Sequence, residues 1–481
     1  MSRQLTSLAW PAMLALLSGC MTVGPDFVAP ADTTPARYRH AASEATSVSL
    51  PDEWWTVFGD PALNALEARA FRNSPSLKAG AERLLRAQAL LGVARAQQLP
   101  AINANASAQR MRSSLNTQQA IVFGRQLILG NNVAAGLSMT YEIDLWGRVR
   151  RVVETADAQF RAAQSDYAGV ALLLSTQVGR VYWQWRGVGA EQRILESALA
   201  TRRETRELVT ARFRTGFANE LDLSRARVEE ANAEAELHEV VRQRDALEHA
   251  LAVLVGEAPS RPLDVSANAP LPTPPRIPVG LPAQLLAHRP DLSVSVANLR
   301  AANAQVGVAE AAFYPGVQLT GDFGYASRNL RELTNGDSTQ FNVGPLALTL
   351  PLFDGGRNRA NLAAANARYQ EALADHQNKL LEALRETEDA LSDVEQHALQ
   401  ADARKIAQES ASRAYQVALT RYERGIATYL DVVDAQRSQL AADRAAAQTQ
   451  TRRLLAAVDV IRATGGGWSA TPVDSANAGA R

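Results

Sequence analysis

The sequence predicts a mainly α-helical, internally duplicated chain that carries four membrane-type β-strands and long coiled-coil-like helices. Three observations predict this. One structural plan is written twice along the 481 residues. Segments of about ten residues alternate apolar and polar side chains, the period of a strand with one wet and one dry face. Between the strand pairs run helical stretches of about 70 residues without a proline, far longer than an ordinary globular helix.

The elements follow in chain order. The opening "MSRQLTSLAWPAMLALLSGCMTVGPDF" has an arginine before a short apolar run, Leu8 to Leu17. The run is too short to span a bilayer and has the build of a secretory leader. Small residues precede Cys20, the single cysteine of the chain. It cannot form an internal disulfide. The pattern predicts a bacterial lipobox, with Cys20 becoming the lipidated mature N-terminus. No later apolar run is long enough for a transmembrane helix, so any membrane crossing falls to strands. Fifty basic and fifty acidic residues cancel, and no basic block stands out, which disfavours nucleic acid as a partner.

The duplication begins where "SPSLKAGAERLLRAQALLGVARAQQLPAI" from Ser74 meets "RPDLSVSVANLRAANAQVGVAEAAFYPGV" from Arg289. Pro75, Gly92 and Pro100 match Pro290, Gly307 and Pro315 at one constant offset. Long-period self-similarity means two copies of one structural unit. After Pro100, Ile102, Ala104, Ala106 and Ala108 alternate with polar residues. In Val133–Leu145, Val133, Leu137, Met139 and Tyr141 share one parity, and Ser138, Thr140 and Glu142 the other. The second copy repeats this at Val317–Tyr325 and Leu346–Leu352, with a phase change near Gly344-Pro345. "DLWGRVR" and "PLFDGGRNR" then open the long helical runs, Gly147 to Gly216 and Gly356 to Gly425. Each run could reach about 100 Å as one helix. Each turns at a glycine phrase and returns, over Leu221–Val255 and Leu430–Thr464.

The two phrases, "RFRTGFANELDLSRAR" from Arg212 and "RYERGIATYLDVVDAQ" from Arg421, are the same sentence. Gly216 and Gly425 mark the turns. Asp222 and Asp431 fall at equal offsets beyond them; Asp434 is present only in the second phrase, where Arg225 stands in the first. Acids in the first turn of a helix also favour its positive dipole end, the plainer reading of Asp222 and Asp431.

Taken together these motifs resemble the TolC-like outer-membrane efflux proteins, in particular their lipoprotein branch. The carrying residues are "GCMTVGPDFVAP" from Gly19, "EWWTVFGDPALNAL" from Glu53, "YEIDLWGRVRR", "LPLFDGGRNRA" and the glycine phrases, spanning Cys20 to about Gly467. The resemblance implies a homotrimer in which each chain gives four strands to a twelve-stranded barrel and two hairpins to an α-helical barrel. Four strands alone cannot enclose a lumen, whereas closure removes exposed edges. It implies an outer-membrane exit duct, lipid-anchored and largely periplasmic, served by a periplasmic adaptor and an inner-membrane pump. It places the gate at the hairpin tips, with Asp431 and Asp434 narrowing the entrance and Tyr422 and Asp222 holding it shut. The family's best-known member has an arginine where Ala427 stands here, so another closing contact is required; Arg225 is one candidate. Trp54 and Trp55 are expected to pack around the tunnel.

The corresponding divisions are a leader at 1–19, a lipidated segment at 20–66, a first repeat at 67–270, a proline-rich linker at 271–282, a second repeat at 283–467 and a tail at 468–481. An enzyme is disfavoured. The six histidines are scattered, there is no phosphate loop or nucleophile elbow, and no cofactor or metal is expected. A channel for type I protein secretion is the nearest alternative. A lipid-anchored periplasmic adaptor would carry one hairpin phrase rather than two.

Overall fold

The computed structural model describes residues 22–31, 34–40, 50–112, 114–116, 129–265, 269–277 and 288–468. Cys20, the leader and nearly all of the tail lie outside the described residues. A short 3-10 helix, Trp54–Phe58, precedes α1 (Pro61–Asn73) and α2 (Pro75–Ala96). Then come β1 (Ala101–Arg112), β2 (Leu129–Glu142), α3 (Arg148–Arg214) and α4 (Glu220–Leu254). The same order recurs as α5 (Pro290–Ala311), β3 (Gly316–Ser327), β4 (Thr339–Thr349), α6 (Arg357–Glu423) and α7 (Tyr429–Thr464). Among the described residues no helix is long and apolar enough to cross a membrane. The chain divides into two compact units.

The first unit (1–30, 84–163 and 295–376) holds the sheet. Its four strands run in the order β1-β2-β3-β4, each antiparallel to its neighbour. The register sorts residues into rows that cross the sheet. Ala104, Leu137, Phe323 and Phe341 form one apolar row, and Ile102, Met139, Gly321 and Val343 the next. On the opposite face Asn103, Ser138, Asp322 and Asn342 form a polar row. The apolar face is not covered: Ile102 is 65% exposed and Phe341 78%. Gly136 and Gly324 face each other on the polar side. A Cβ on Gly324 would stand 2.5 Å from the Gly136 Cα, so only glycine lets these strands approach there. The expected phase change in the fourth strand is a register shift between Leu319 and Gly321, opposite Gly344 and Pro345.

The helices leaving this sheet start on aspartates. Asp144 accepts from the backbone N–H of Val149 and Arg150, and Asp354 from those of Gly356 and Asn358. These bonds satisfy donors that a helix start leaves orphaned. Gly147 and Gly356 take φ of +81° and +90° to turn the chain into position. Segment 22–27 is clamped alongside. The buried Arg151 guanidinium donates to the carbonyls of Val23 and Gly24 and to Asp26, and Asn303 donates to the Pro25 carbonyl.

The second unit (31–83, 164–294 and 377–481) is organised around an aromatic core. Trp54, Trp55, Phe58, Tyr182, Trp183 and Trp185 pack with Leu63, Leu66, Leu251 and Ile461. Trp54 and Trp55 are therefore packing residues, and Trp54 also donates to Ser175 Oγ at 3.0 Å. Asp60 caps α1 through the N–H groups of Ala62 and Leu63 and also accepts from Tyr182 and the buried Arg186. Arg186 in turn donates to the carbonyls of Ala269 and Pro270, tying the stretch just before the proline-rich segment to the core. Glu67 is fully buried with neither carboxylate oxygen hydrogen-bonded, and this desolvation holds its pKa well above the usual carboxylate range.

Candidate functional site

Both glycine phrases fold as the turn between two long helices, and local bonds account for their shared letters. At the first tip Gly216 has φ +79°; its N–H donates to the Phe213 carbonyl and that of Phe217 to the Arg212 carbonyl. At the second, Gly425 has φ +74°; its N–H donates to the Tyr422 carbonyl and that of Ile426 to the Arg421 carbonyl. Each is a Schellman closure with glycine in the left-handed conformation, the geometry that satisfies carbonyls at a helix end. The returning helix then needs an N-cap. Asn219 provides it for α4, its side-chain oxygen accepting from the Asp222 N–H at 2.8 Å. Thr428 provides it for α7 within a reciprocal capping box, where Asp431 accepts from the Thr428 N–H at 2.9 Å and hydroxyl at 2.8 Å.

The four gate candidates thus sit in different circumstances. Asp431 is a capping residue at the protein surface, and the bonds from the Thr428 side chain and backbone hold its carboxyl below the ordinary range. Asp434 is exposed one turn further on, with the Arg437 guanidinium beside it. Asp222 is partly buried, 3.9 Å from Arg225. Arg225 thus pairs within its own helix. Tyr422 is buried against Tyr429, ring centroids 5.7 Å apart. Among the described residues no hydrogen bond joins Tyr422 to Asp222. Burial pushes the Tyr429 hydroxyl up to about 12, with the Glu229 carboxylate adding to the effect.

Two features escaped the sequence reading. The first is Arg212, the opening letter of the first phrase. Its guanidinium donates to the carbonyl of Tyr422 at 3.0 Å and to that of Glu423 at 2.8 Å. Its central carbon also lies 4.5 Å from the Tyr422 ring centroid. One side chain of the first tip therefore caps α6 and stacks on an aromatic of the second. Around it Val209, Leu223 and Ala226 share one apolar cluster with Tyr422, Tyr429, Val432 and Val433, so the two tips of a chain pack as one body. The second is Glu229, 4% exposed, which accepts from Arg437 and pairs with Arg202 at 3.4 Å. This carboxylate joins α3, α4 and α7 just above the tips. The repeated arginine was the available signal for Arg212, but its target is backbone carbonyl, which leaves no complementary letter in the sequence.

A groove of about 820 Å3 runs beside the second tip, lined by Arg413, Val417, Arg421, Ile426, Ala427 and Asp431. Ala427 contributes only a methyl group to this wall.

A pair of hairpins, each entered from a strand pair with one apolar face, defines the class. The chain belongs to the outer membrane efflux protein family, whose sequence description matches residues 67–257 and 281–466. It is 32% identical over 468 residues to outer membrane protein OprJ of Pseudomonas aeruginosa, covering 95% of both chains. It is 30% identical over 469 residues to the toluene efflux pump outer membrane protein TtgI of Pseudomonas putida, covering 95% of this chain and 97% of that one. The crystal structure of the Campylobacter jejuni CmeC outer membrane channel superposes with a TM-score of 0.87 at 28% identity, over 93% of this chain and 95% of that chain. The adaptor reading is not favoured by this membership.

Proposed function

We propose that three copies of this chain close their sheets into a twelve-stranded outer-membrane barrel, the exit duct of a tripartite efflux system. The observation that carries this is the four-stranded sheet with one uncovered apolar face, one polar face and two edges, β1 and β4, that are unpaired among the described residues. An open edge is untenable in lipid, because each unpaired backbone group costs several kcal/mol there. Pairing β4 of one copy with β1 of the next satisfies both edges, and twelve is an even strand count. The apolar rows then face lipid and the polar rows the lumen. Conduction is passive, and energy comes from an inner-membrane pump reached through a periplasmic adaptor that docks at the tips. Lipidation at Cys20 adds an anchor, and the Arg151 clamp on Val23, Gly24 and Asp26 fixes the chain just beyond it.

At the periplasmic end, Asp431 and Asp434 from three copies form acidic rings around the axis, while Arg212 takes the closing role that Ala427 cannot. The exit of compounds through pumps named for the relatives makes a type I protein secretion channel the weaker reading.

Native mass spectrometry of the detergent-solubilised protein is expected to give a trimer. A monomeric or dimeric barrel would overturn the proposal. Mass spectrometry of the mature N-terminus is expected to show acylated Cys20, and an intact Met1 would remove the anchor from it.

A further inference from the structure

Because strand parity is fixed by continuous pairing, every charge on the apolar face of the sheet can be located. The register runs unbroken along β1 and β2 from Ala101↔Thr140 to Arg112↔Leu129. Side chains two apart share a face, so Arg110 and Arg112 lie on the face of Ile102, Ala104, Ala106 and Ala108. Among the described strand residues these two are the only charges on that face; Glu142 and Asp322 point to the other. Both are arginines, and both stand at the hairpin end of β1, away from the helices. Both are exposed, and among the described residues neither guanidinium has a hydrogen-bond or ion-pair partner.

Their height is set by strand geometry. The apolar rows run from Val317 with Leu348 to Ser327 with Val133. Ten residues at about 3.4 Å each, tilted by about 40°, rise about 26 Å, close to the ~25 Å apolar band of an outer-membrane barrel. Arg110, opposite Asn131, comes one two-residue step beyond Val133. It therefore stands at the headgroup layer of the outer leaflet, with Arg112 about 5 Å further out.

We propose that Arg110 and Arg112 form a binding site for the phosphorylated headgroup of an outer-leaflet glycolipid. A guanidinium is a planar fork that matches phosphate bidentately and is only weakly hydrated. Two of them on one strand face, about 7 Å apart, suit two oxygens of one headgroup or two neighbouring phosphates. The hydrocarbon below them holds the lipid's acyl chains against Ala104, Ala106 and Ala108, whose small side chains leave room at this edge of the sheet. The site rests on the barrel reading, which sets the apolar face toward lipid.

The test uses the full-length purified trimer, loaded with bis-phosphorylated or dephosphorylated lipid A and read by native mass spectrometry. Wild type is expected to retain the bis-phosphorylated form preferentially. Arg110→Gln and Arg112→Gln should each lower retention about fivefold, with their losses compounding in the double variant. The double lysine variant should retain part of the preference, and Asp322→Asn on the polar face all of it. Inorganic phosphate at equal concentration should not displace the lipid, which separates a headgroup site from a free-anion site. Equal retention by wild type and the double glutamine variant, with the trimer intact, would overturn this site alone. Absence of a trimer in wild type would instead overturn the barrel reading.

Discussion

At the first tip Arg212 leaves its own helix and bonds two carbonyls of the second tip; at the second, Arg421 in the matching position stays exposed, and only its charge reaches Asp431. The caps differ in the same sense. Asn219 caps α4 with its own side chain and leaves the Asp222 carboxylate to Arg225, whereas Asp431 is consumed by the Thr428 box. Two turns of the same build thus carry unequal roles. The first tip grips; the second is gripped and carries the extra acid, Asp434.

Arg212→Ala should break this division most severely. It removes two charge-assisted bonds to carbonyls and a cation–π contact, about 2–3 kcal/mol of tip-to-tip coupling. Single-channel recording in planar bilayers should show open probability rising by one to two orders of magnitude, while Arg421→Ala stays near wild type. Equal effects of the two changes would erase the asymmetry.

Smaller effects are expected at the caps. Asn219→Ala should cost about 1 kcal/mol of local helix stability, and Asp431→Ala should loosen its own helix start, both visible as faster amide hydrogen exchange in the first turns of α4 and α7. Asp222→Ala should cost less, since its backbone rather than its carboxylate serves the cap. Acid dependence should separate the tips further. The Asp431 carboxyl is depressed in the folded protein, so its contribution is present above the ordinary carboxylate pKa of about 3.9 and is lost as pH falls through the lower folded value. Exchange protection at the second tip should hold near pH 5 and fall below about pH 4. In Asp431→Asn that fall should vanish, and if it persists another carboxylate governs the turn.

Charge is expected to distinguish the tips in conductance as well as in stability. Asp431→Ala with Asp434→Ala should reduce cation selectivity and relieve block by multivalent cations from the periplasmic side, whereas Asp222→Ala should leave both nearly intact. Unchanged selectivity in the double variant would move the constriction elsewhere. The least consequence is expected from Tyr422→Phe, below about 0.5 kcal/mol, because the ring under Arg212 remains. Tyr422→Ala should approach Arg212→Ala in its conductance.

Much of this was legible beforehand because periodicity reports directly on regular structure. Period two located β1 to β3 but only the end of β4, which starts at Thr339 ahead of the phase change and stops before Leu350 and Leu352; the uninterrupted runs between glycines located α3 and α6. The glycine turns could be placed because left-handed backbone leaves little choice of residue. What stayed hidden depends on contacts between segments far apart in the chain. Arg212 reaches carbonyls some two hundred residues away, and every residue type offers a carbonyl. Arg151 likewise reads the backbone of Val23 and Gly24. The Glu229 network was obscured for another reason: a charge buried against two arginines is written with the same letters as one left in solvent. Asp431 was assigned to the gate by resemblance, yet its geometry in the single chain is that of a cap. Its place in a ring rests on the proposed trimer.

The equal length of α3 and α6, 67 residues each, restricts how such a chain can evolve. A helix rises about 1.5 Å and rotates about 100° with every residue. Deleting one residue from α3 alone would retract the first tip by that step and swing Arg212 off the carbonyls it holds. Insertions and deletions in these helices should therefore be tolerated only in matched pairs, because a whole turn added to one helix alone restores the rotation yet displaces its tip by about 5.4 Å. The two helices behave as a ruler kept in duplicate, each copy proofreading the other.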